Sequence, residues 1–366
     1  MKRMKLGFFT GARSEYGLLR KLINQLQSDP FFEISLLVGG MHLLEKFGHT
    51  YKEIEKDGFV IKAKIPFYSE DISPGQLEFS KAITGIAAVL EKEKFDALFI
   101  VGDRLEAYAA ALAAHFTRTP LIHSGGGTLT EGAVDNIYRY NITNLANIHL
   151  ATSKGNYRRL KSLPIIKPED VFFTGSIAID GIKAFLKQPV AIDQFVKSLK
   201  KDSFVLITFH PATATQEPLD EILAKAVELI VNMNCQVLIT YPNNDTGYES
   251  ILRQIESFKS KENIFIVENL GAKGYYAALN DCLFVLGNSS SGIVEAPYFH
   301  KQVINVGERQ KGREKDASIM DVNANWPAVQ QLIKKGFEES WPLIENNNIY
   351  GGGQSVPNII KIIKTL

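Results

Sequence analysis

Short apolar runs alternate with longer amphipathic stretches along the whole chain, and this alternation constrains the fold more than any other feature. The runs are rich in branched and aromatic side chains, which is typical of buried parallel strands. The stretches between them carry apolar residues at helical spacing, as in EYGLLRKLINQLQ (15–27) and RLEAYAAALAAHF (104–116). Such an alternation predicts a parallel sheet with helices on both faces. The strands predicted in the first half are LGFFT (6–10), ISLLV (34–38), ALFIV (97–101), PLIH (120–123) and VFFTG (171–175).

The same alternation starts again after about residue 180, so the 366 residues divide into two halves of similar architecture. We predict an α/β fold of two Rossmann-like, doubly wound parallel-sheet domains, residues 1–183 and 184–366, which face a central cleft. The segment 184–203, with Pro189 and several lysines, is the predicted link. VPNIIKIIKTL (356–366) is predicted to form a helix that packs back on the first domain. The strands predicted in the second half are FVLITF (204–209), QVLITYP (236–242), NIFIV (263–267), CLFVLG (282–287) and QVINVG (302–307), with helices at 219–233 and 291–300.

Charge and cysteine content exclude several classes of protein. Lys and Arg number 41 and Asp and Glu number 40, so the chain lacks the positive excess typical of nucleic-acid or anionic-membrane binding. No stretch approaches the roughly 20 apolar residues that span a bilayer. The first residues, MKRMKLGFFTGARSEYG, lack the apolar core of a signal peptide. Cys235 and Cys282 lie in apolar runs and are expected to be buried, reduced thiols. We expect a cytoplasmic protein with no nucleic-acid or membrane partner.

Charged residues in the first half stand where predicted strands end, and ligands bind at the carboxyl ends of strands in such sheets. Arg13, in GARSEYG, suits a phosphate at a helix start, and a solvated turn residue is an equal alternative. Asp103 and Arg104 follow a buried strand, where a helix-capping role for Asp103 is the stronger alternative. The glycine loop HSGGGTLTEGAVDN favours a binding site over a linker. Its ionisable residues, with the helix that follows, are His123, Glu131, Asp135 and Arg139, of which the last two alternatively form a helix-surface ion pair.

In the second half, His210 ends a strand before Pro211, which directs the imidazole out of the sheet unless it is a buried structural histidine. In GNSSSGIVEAP, three serines and Gly292 offer hydroxyl and N–H donors, which favours a diphosphate, although serines also cap helices without any ligand. Glu295, one turn later, suits ribose hydroxyls.

The loop INVGERQKGRE follows the predicted strand QVINVG and carries Arg309, Lys311 and Arg313 on the side of the serines, with a solvated charged loop as the alternative. GARSEYG matches neither GxGxxG nor a P-loop, so nicotinamide binding is not indicated. No His or Cys pair stands at a metal-ligand spacing. We therefore predict no metal and no cofactor.

Seven motifs occur along most of the chain: GARSEYG, VGDR, TEGAVDN with Arg139, FHP, YPNND, GNSSSGIVEAP and VGERQKGR. In order and spacing they resemble the UDP-N-acetylglucosamine 2-epimerase family, most closely its hydrolysing branch, which feeds sialic and legionaminic acid synthesis. The family fold is two Rossmann-like halves, similar to two-domain glycosyltransferases of the GT-B type. Its hydrolysing enzymes remove the proton at C2 of the sugar while UDP leaves C1, and water then adds to the bound glycal with C2 inverted.

The resemblance implies a role for each candidate residue. Arg13, Arg309, Ser289 and Ser290 would hold the diphosphate, and Glu295 would hold the ribose. Asn243 would lie in the cleft, and the residues around the sugar would be Asp103, Arg104, Asp135 and His210. The resemblance also implies a UDP-sugar substrate and a homodimer, which is usual for the family. With Glu131 added as a hypothesis, the candidate catalytic residues are Asp103, Glu131, Asp135 and His210, and the candidate substrate-binding residues are Arg13, Arg104, Arg139, Asn243, Ser289, Ser290, Ser291, Gly292, Glu295, Arg309 and Arg313.

The chain departs from the family pattern in the glycine loop. Family members carry acidic residues there, in patterns like HIEGGE, whereas this loop is HSGGGT, with Gly125 and Thr128 at the acidic positions. The usual Asp-Asp is Asp135-Asn136, and the usual Arg-His is Arg139-Tyr140. The loss of a general acid or base typically costs about 10²–10⁴-fold in rate. Our hypothesis is that Glu131, close by in the sequence, replaces the missing acid.

Four functions are compatible with this sequence. The first is a hydrolysing 2-epimerase acting on UDP-N-acetylglucosamine or a 4-amino-6-deoxy relative. The second is a glycosyltransferase of similar fold, which would need an acceptor. The third is a nucleotide-sugar binding protein whose catalytic loop has degenerated, and the fourth is a non-hydrolysing epimerase.

Overall fold

The computed structural model describes residues 3–69, 75–131, 134–212, 215–242, 247–338 and 348–366. Thirteen strands and thirteen α-helices alternate within these stretches. The strands are β1 (Met4–Thr10), β2 (Phe32–Gly39), β3 (Ile61–Ile65), β4 (Ala97–Val101), β5 (Leu121–Ser124), β6 (Ile148–Ala151), β7 (Val171–Phe173), β8 (Phe204–Thr208), β9 (Gln236–Thr240), β10 (Ile264–Val267), β11 (Val285–Gly287), β12 (Val303–Val306) and β13 (Ile319–Val322). The helices are α1 (Arg13–Gln27), α2 (Tyr51–Lys56), α3 (Gln76–Glu93), α4 (Leu105–Phe116), α5 (Asp135–Leu145), α6 (Lys154–Lys161), α7 (Ile177–Lys187), α8 (Leu219–Asn232), α9 (Tyr248–Glu256), α10 (Gly271–Asp281), α11 (Ser290–Val294), α12 (Trp326–Glu338) and α13 (Ser355–Ile363).

The chain divides into two compact units. Unit 1 contains a seven-stranded sheet in the order β3-β2-β1-β4-β5-β6-β7, and unit 2 contains a six-stranded sheet in the order β10-β9-β8-β11-β12-β13. Every strand pair in both sheets is parallel, which confirms the predicted α/β class with two doubly wound sheets. Unit 1 comprises Met1–Thr128, Asp135–Asp180 and Tyr350–Leu366, and unit 2 comprises Leu129–Val134 and Gly181–Ile349.

The terminal helix α13 belongs to unit 1. Its apolar face, including Val356 and Ile359, is fully buried in the same core as β1 and β4. The buried carboxylate of Asp180 accepts hydrogen bonds from the backbone N–H groups of Ser355 (2.9 Å) and Val356 (2.8 Å). A carboxylate at a helix N-terminus satisfies donors that have no partner within the helix. Asp180 therefore fixes the start of α13 within unit 1.

Each sheet brings its candidate motifs to one place. In unit 1 the motifs with Arg13, Asp103 and the glycine loop follow β1, β4 and β5, which are neighbours in the sheet. In unit 2 the motifs with His210, the serines and Arg309 follow β8, β11 and β12, which are also neighbours. Both sheets reverse their strand order at these positions, and such switch points are where doubly wound sheets bind ligands.

The structure contains elements that the sequence did not predict. The strands β3, β6 and β13 are short and carry charged or polar side chains, so the apolar pattern did not reveal them. The helix predicted over 291–300 is instead the short α11 followed by a 3₁₀ turn, Ala296–Phe299, which contains Pro297. Among the described residues, no helix is long and apolar enough to cross a membrane.

Candidate active site

Asp103 lies just beyond the end of β4 and is held by Arg139 from α5. The Arg139 side chain is 2% exposed, and its Nε donates to Asp103 Oδ2 at 2.8 Å. Its Nη1 donates to the carbonyl of Thr128 (2.9 Å) and to Asn136 Oδ1 (3.2 Å). The carboxylate of Asp103 remains 25% exposed. Asp103 therefore lies at the surface of unit 1 and is paired with a buried guanidinium. Asp135, the first residue of α5, is half-buried and lies four residues before Arg139 in the chain.

Polar contacts within the glycine loop involve Gly125 and Thr128, the positions where the resemblance led us to expect glutamates. Thr128 is buried, donates through Oγ1 to the carbonyl of Gly125 at 3.3 Å, and accepts from Asn156 Nδ2 at 2.8 Å. Gly125 has φ of +104°, a conformation that strains any residue with a Cβ. His123 Nε2 lies 2.8 Å from the carbonyl of Gly102, and burial lowers the pKa of His123 to about 4. His123 is therefore a neutral, structural histidine.

Arg13 and Arg104 are both paired with glutamates of unit 1. Arg13, the first residue of α1, donates through Nε to Glu53 at 3.2 Å in an exposed ion pair. Arg104 Nε lies 3.4 Å from Oε2 of Glu106, which is buried. The pair of Arg104 therefore involves a buried carboxyl group, whereas that of Arg13 is exposed to solvent.

Glu15 is a buried carboxyl group that the sequence analysis did not identify. Its Oε2 accepts from the backbone N–H groups of Gly11 (2.7 Å) and Ala12 (3.2 Å), and its Oε1 has no hydrogen-bond partner. Burial, followed by the charge of Glu106, raises the pKa of Glu15 to about 8, against the opposing effect of Arg104. The sequence ARSE (12–15) could have indicated this contact, because a Glu three residues after the residue that caps a helix often accepts a hydrogen bond from the backbone N–H of that residue.

His210 follows β8 in unit 2 and is fixed by Asn288, a residue that the sequence analysis did not single out. The Asn288 amide accepts from the backbone N–H of His210 at 2.7 Å and donates to its carbonyl at 2.8 Å. Burial lowers the pKa of His210 well below its usual range, and the neighbouring charge of Arg309 lowers it further. His210 is therefore neutral, and its Nε2 lies 3.3 Å from the hydroxyl of Ser289.

The motif after β11 places hydroxyl groups beside His210. Ser289 caps α11, and its Oγ lies 3.0 Å from Ser291 Oγ. Ser290 is half-buried at the start of the helix, and Gly292 is buried. Burial raises the pKa of Glu295, which follows the helix, to about 7. Within unit 2, these groups offer several donors and one acceptor side by side.

The basic loop after β12 contacts the same motif. Arg309 Nη1 donates to the carbonyl of Asn288 at 3.3 Å, and Gln310 Nε2 donates to the same oxygen at 2.9 Å. Arg313 lines a cavity of about 780 Å³ together with Lys311 and Glu308. Arg309 therefore lies close to His210 and to Asn288, the residue before the serines.

Glu131 lies against the basic loop that follows β12. Glu131 is exposed, its backbone N–H donates to the carbonyl of Lys311 at 3.0 Å, and its carboxylate lies 3.9 Å from Lys311 Nζ. Asn243 lies outside the described residues. The catalytic role of Glu131 stays a prediction. In the described parts of the chain, no group of three or more His, Cys, Asp or Glu side chains is arranged to hold a metal ion.

Comparison with known proteins identifies the family. The family model for UDP-N-acetylglucosamine 2-epimerase matches residues 24–364, and the chain belongs to this family of enzymes. A UDP-N,N'-diacetylbacillosamine 2-epimerase (hydrolyzing) of Legionella pneumophila is 29% identical, over 99% of this chain and 96% of the relative. A GDP/UDP-N,N'-diacetylbacillosamine 2-epimerase (hydrolyzing) of Campylobacter jejuni is 33% identical, over 93% of this chain and 90% of the relative.

A solved structure agrees with the fold. The UDP-GlcNAc 2-epimerase of Neisseria meningitidis, bound to UDP-GlcNAc, matches with a TM-score of 0.82. The match covers 99% of this chain and 100% of that chain at 18% identity. The likeness at this identity establishes the shared fold, and the sequence relatives above establish the family.

Proposed function

We propose that this protein is a hydrolysing nucleotide-sugar 2-epimerase, which converts a UDP-2-acetamido sugar into UDP and the free 2-epimeric sugar. The observation that carries the proposal is the carboxylate of Asp103, partly exposed at a sheet's switch point and backed by the buried Arg139. The names of the Legionella and Campylobacter relatives support the hydrolysing reaction. The domain division predicted from the sequence, residues 1–183 and 184–366, is part of the proposal.

Asp103 is proposed to take the proton from C2 of the sugar. A carboxylate paired with a guanidinium is charged, and a charged carboxylate is the form that accepts a proton. Because Arg139 also holds Thr128 and Asn136, it positions Asp103 relative to the glycine loop. Arg139 therefore acts on the reaction through Asp103, and Arg104 and Asp135 contribute polar contacts to the sugar.

Unit 2 is proposed to bind the nucleotide and to stabilise its departure. The negative charge that develops when UDP leaves C1 needs fixed positive charge and hydrogen-bond donors. Arg309 provides the positive charge, and the hydroxyls of Ser289 and Ser290 provide the donors. The neutral His210 lies within hydrogen-bond distance of Ser289. Glu295 accepts from the ribose hydroxyls. The remaining ligands proposed for the nucleotide are Arg13, Asn243, Ser291, Gly292 and Arg313.

Water addition to the glycal requires a second proton-transfer group, and we propose Glu131 for this role. The positions of the family's glutamates hold Gly125 and Thr128, and Thr128 is occupied by its bonds to Asn156 and Gly125. Glu131 is exposed, so its carboxylate is accessible to a substrate. Its neighbour Lys311 is exposed as well, and such a pair is weak enough to be exchanged for a ligand contact.

The altered loop favours a 4-amino-6-deoxy relative of N-acetylglucosamine as the sugar. Both curated relatives named above are described as acting on N,N'-diacetylbacillosamine nucleotides. Gly125 and Thr128 in place of two acidic side chains leave the segment 123–128 without an acidic residue and with less side-chain volume. A loop of this kind accommodates an additional acetamido group better than one with two glutamates.

Product analysis tests the proposed reaction. The protein is incubated without any acceptor, once with UDP-N-acetylglucosamine and once with UDP-N,N'-diacetylbacillosamine, and the nucleotide is followed by phosphorus NMR. We expect free UDP and free 2-epimeric sugar, faster from the second substrate. Recovery of the nucleotide as an epimeric UDP-sugar would instead show a non-hydrolysing enzyme, and UDP release that required an added acceptor would show a glycosyltransferase.

A further inference from the structure

Tyr275, on α10 of unit 2, contacts the serine motif but is not among the residues proposed to bind the substrate or to transfer protons. Its hydroxyl lies 2.5 Å from Ser291 Oγ, across 16 positions in the sequence. Ser291 lies 3.0 Å from Ser289, and Ser289 lies 3.3 Å from His210 Nε2. Four polar side chains therefore form one continuous line of hydrogen bonds from Tyr275 to His210.

The chemistry of the four groups sets the direction of their protons. A phenol is a stronger donor than an aliphatic hydroxyl, and this difference favours donation from Tyr275 to Ser291. Each serine has a single proton, and Ser291 then uses its own for Ser289 or for a ligand. With an anion bound at Ser289, all hydroxyl protons along the line point toward the negative charge, and successive hydrogen bonds of this kind strengthen one another.

The surroundings of Tyr275 keep its proton in place. Burial raises the pKa of the phenol, and the charge of Glu295 raises it further. The phenol is therefore in its protonated form near neutral pH.

We infer that Tyr275 is a positioning residue for the departing diphosphate: it directs the hydroxyl protons of Ser291 and Ser289 toward the anion. The inference rests on the proposed function, because that function places the diphosphate at these serines. It assigns to Tyr275 a hydrogen-bonding role that acts through Ser291 without direct contact between the phenol and the substrate.

A double-mutant cycle on UDP binding tests the inference. The variants are Tyr275→Phe, Ser291→Ala and the double variant, and UDP affinity is measured by titration calorimetry on the full chain. We expect Tyr275→Phe to weaken UDP binding about 3–10-fold, the usual effect of one hydrogen bond. Because Tyr275 acts through Ser291, the double variant should bind UDP no more weakly than Ser291→Ala alone. KM for the UDP-sugar should rise in parallel with the loss of UDP affinity.

Tyr276→Phe is the matched control, since it removes a hydroxyl from the next residue on the same helix. The Tyr276 ring packs against Phe185 and Phe299 at 5.8 and 5.9 Å. Wild-type UDP affinity in Tyr275→Phe, or fully additive losses in the double variant, would overturn the inference. Absence of UDP binding by the wild-type protein would contradict the proposed function itself, so the two failures are distinguishable.

Discussion

Replacement of Asp103 by asparagine is expected to lower kcat roughly 10²–10⁴-fold, the usual cost of removing a general acid or base. Asparagine keeps the size of the side chain and an oxygen that accepts from Arg139, so the guanidinium retains a partner. It cannot take a proton from C2 of the sugar. Steady-state kinetics with the preferred UDP-sugar measures the effect, and UDP affinity should stay close to that of the wild type.

Asp57→Asn is the matched control for Asp103→Asn. Asp57 is also an aspartate of unit 1 paired with an arginine, Arg20, and it accepts from the hydroxyl of Tyr16 at 2.6 Å. Because it lies after α2 and not at the end of a central strand, its amide variant should retain wild-type kcat. Equal losses in the two variants would mean that Asp103 acts through the stability of unit 1 and not through proton transfer.

Replacement of Glu15 by glutamine is expected to stabilise the protein increasingly as the pH rises from 5 to 8. A carboxyl group whose pKa is raised by folding stabilises the native state below its unfolded pKa, and this contribution is lost as the pH rises through the folded pKa. Burial raises the pKa of Glu15 from 4.5 to about 8, so the loss falls in this interval. Glutamine is neutral at every pH, and its oxygen still accepts from Gly11 and Ala12.

The size of this effect follows from the shift in pKa. The stability difference between Glu15→Gln and wild type should change on the order of 2–4 kcal/mol between the two pH values. Calorimetric melting of both proteins at each pH measures the change. Glu33→Gln is the control, since it makes the same substitution at an exposed glutamate of the same unit, 3.9 Å from Lys5. A difference between Glu15→Gln and wild type that is the same at pH 5 and pH 8 would show that Glu15 is ionised throughout.

The α/β class and the central strands followed from the sequence because their signals are local. ALFIV and FVLIT are continuous apolar runs, and each is a fully buried parallel strand. The strand β3, with the sequence IKAKI, alternates lysines with apolar residues and was not predicted. Its partly exposed position at the edge of the sheet allows the lysines.

The candidate residues of the site were predicted largely by their position at strand ends. His210 and Arg309 lie together for that reason, because β8, β11 and β12 are neighbours. The partners that fix them could not be predicted in the same way. Asn288 reaches His210 across 78 positions, and Tyr275 reaches Ser291 from a different helix, so these contacts depend on the packed fold.

The fate of the proton at C2 distinguishes epimerisation at this carbon from hydrolysis alone. The protein is incubated with the preferred UDP-sugar in deuterated water, and the released sugar is examined by proton NMR and mass spectrometry. We expect UDP together with a free 2-epimeric sugar that carries one solvent deuterium at C2, since the carbon is deprotonated and then reprotonated on the opposite face. Release of UDP with a sugar that retains its original configuration and its proton at C2 would contradict the proposed reaction.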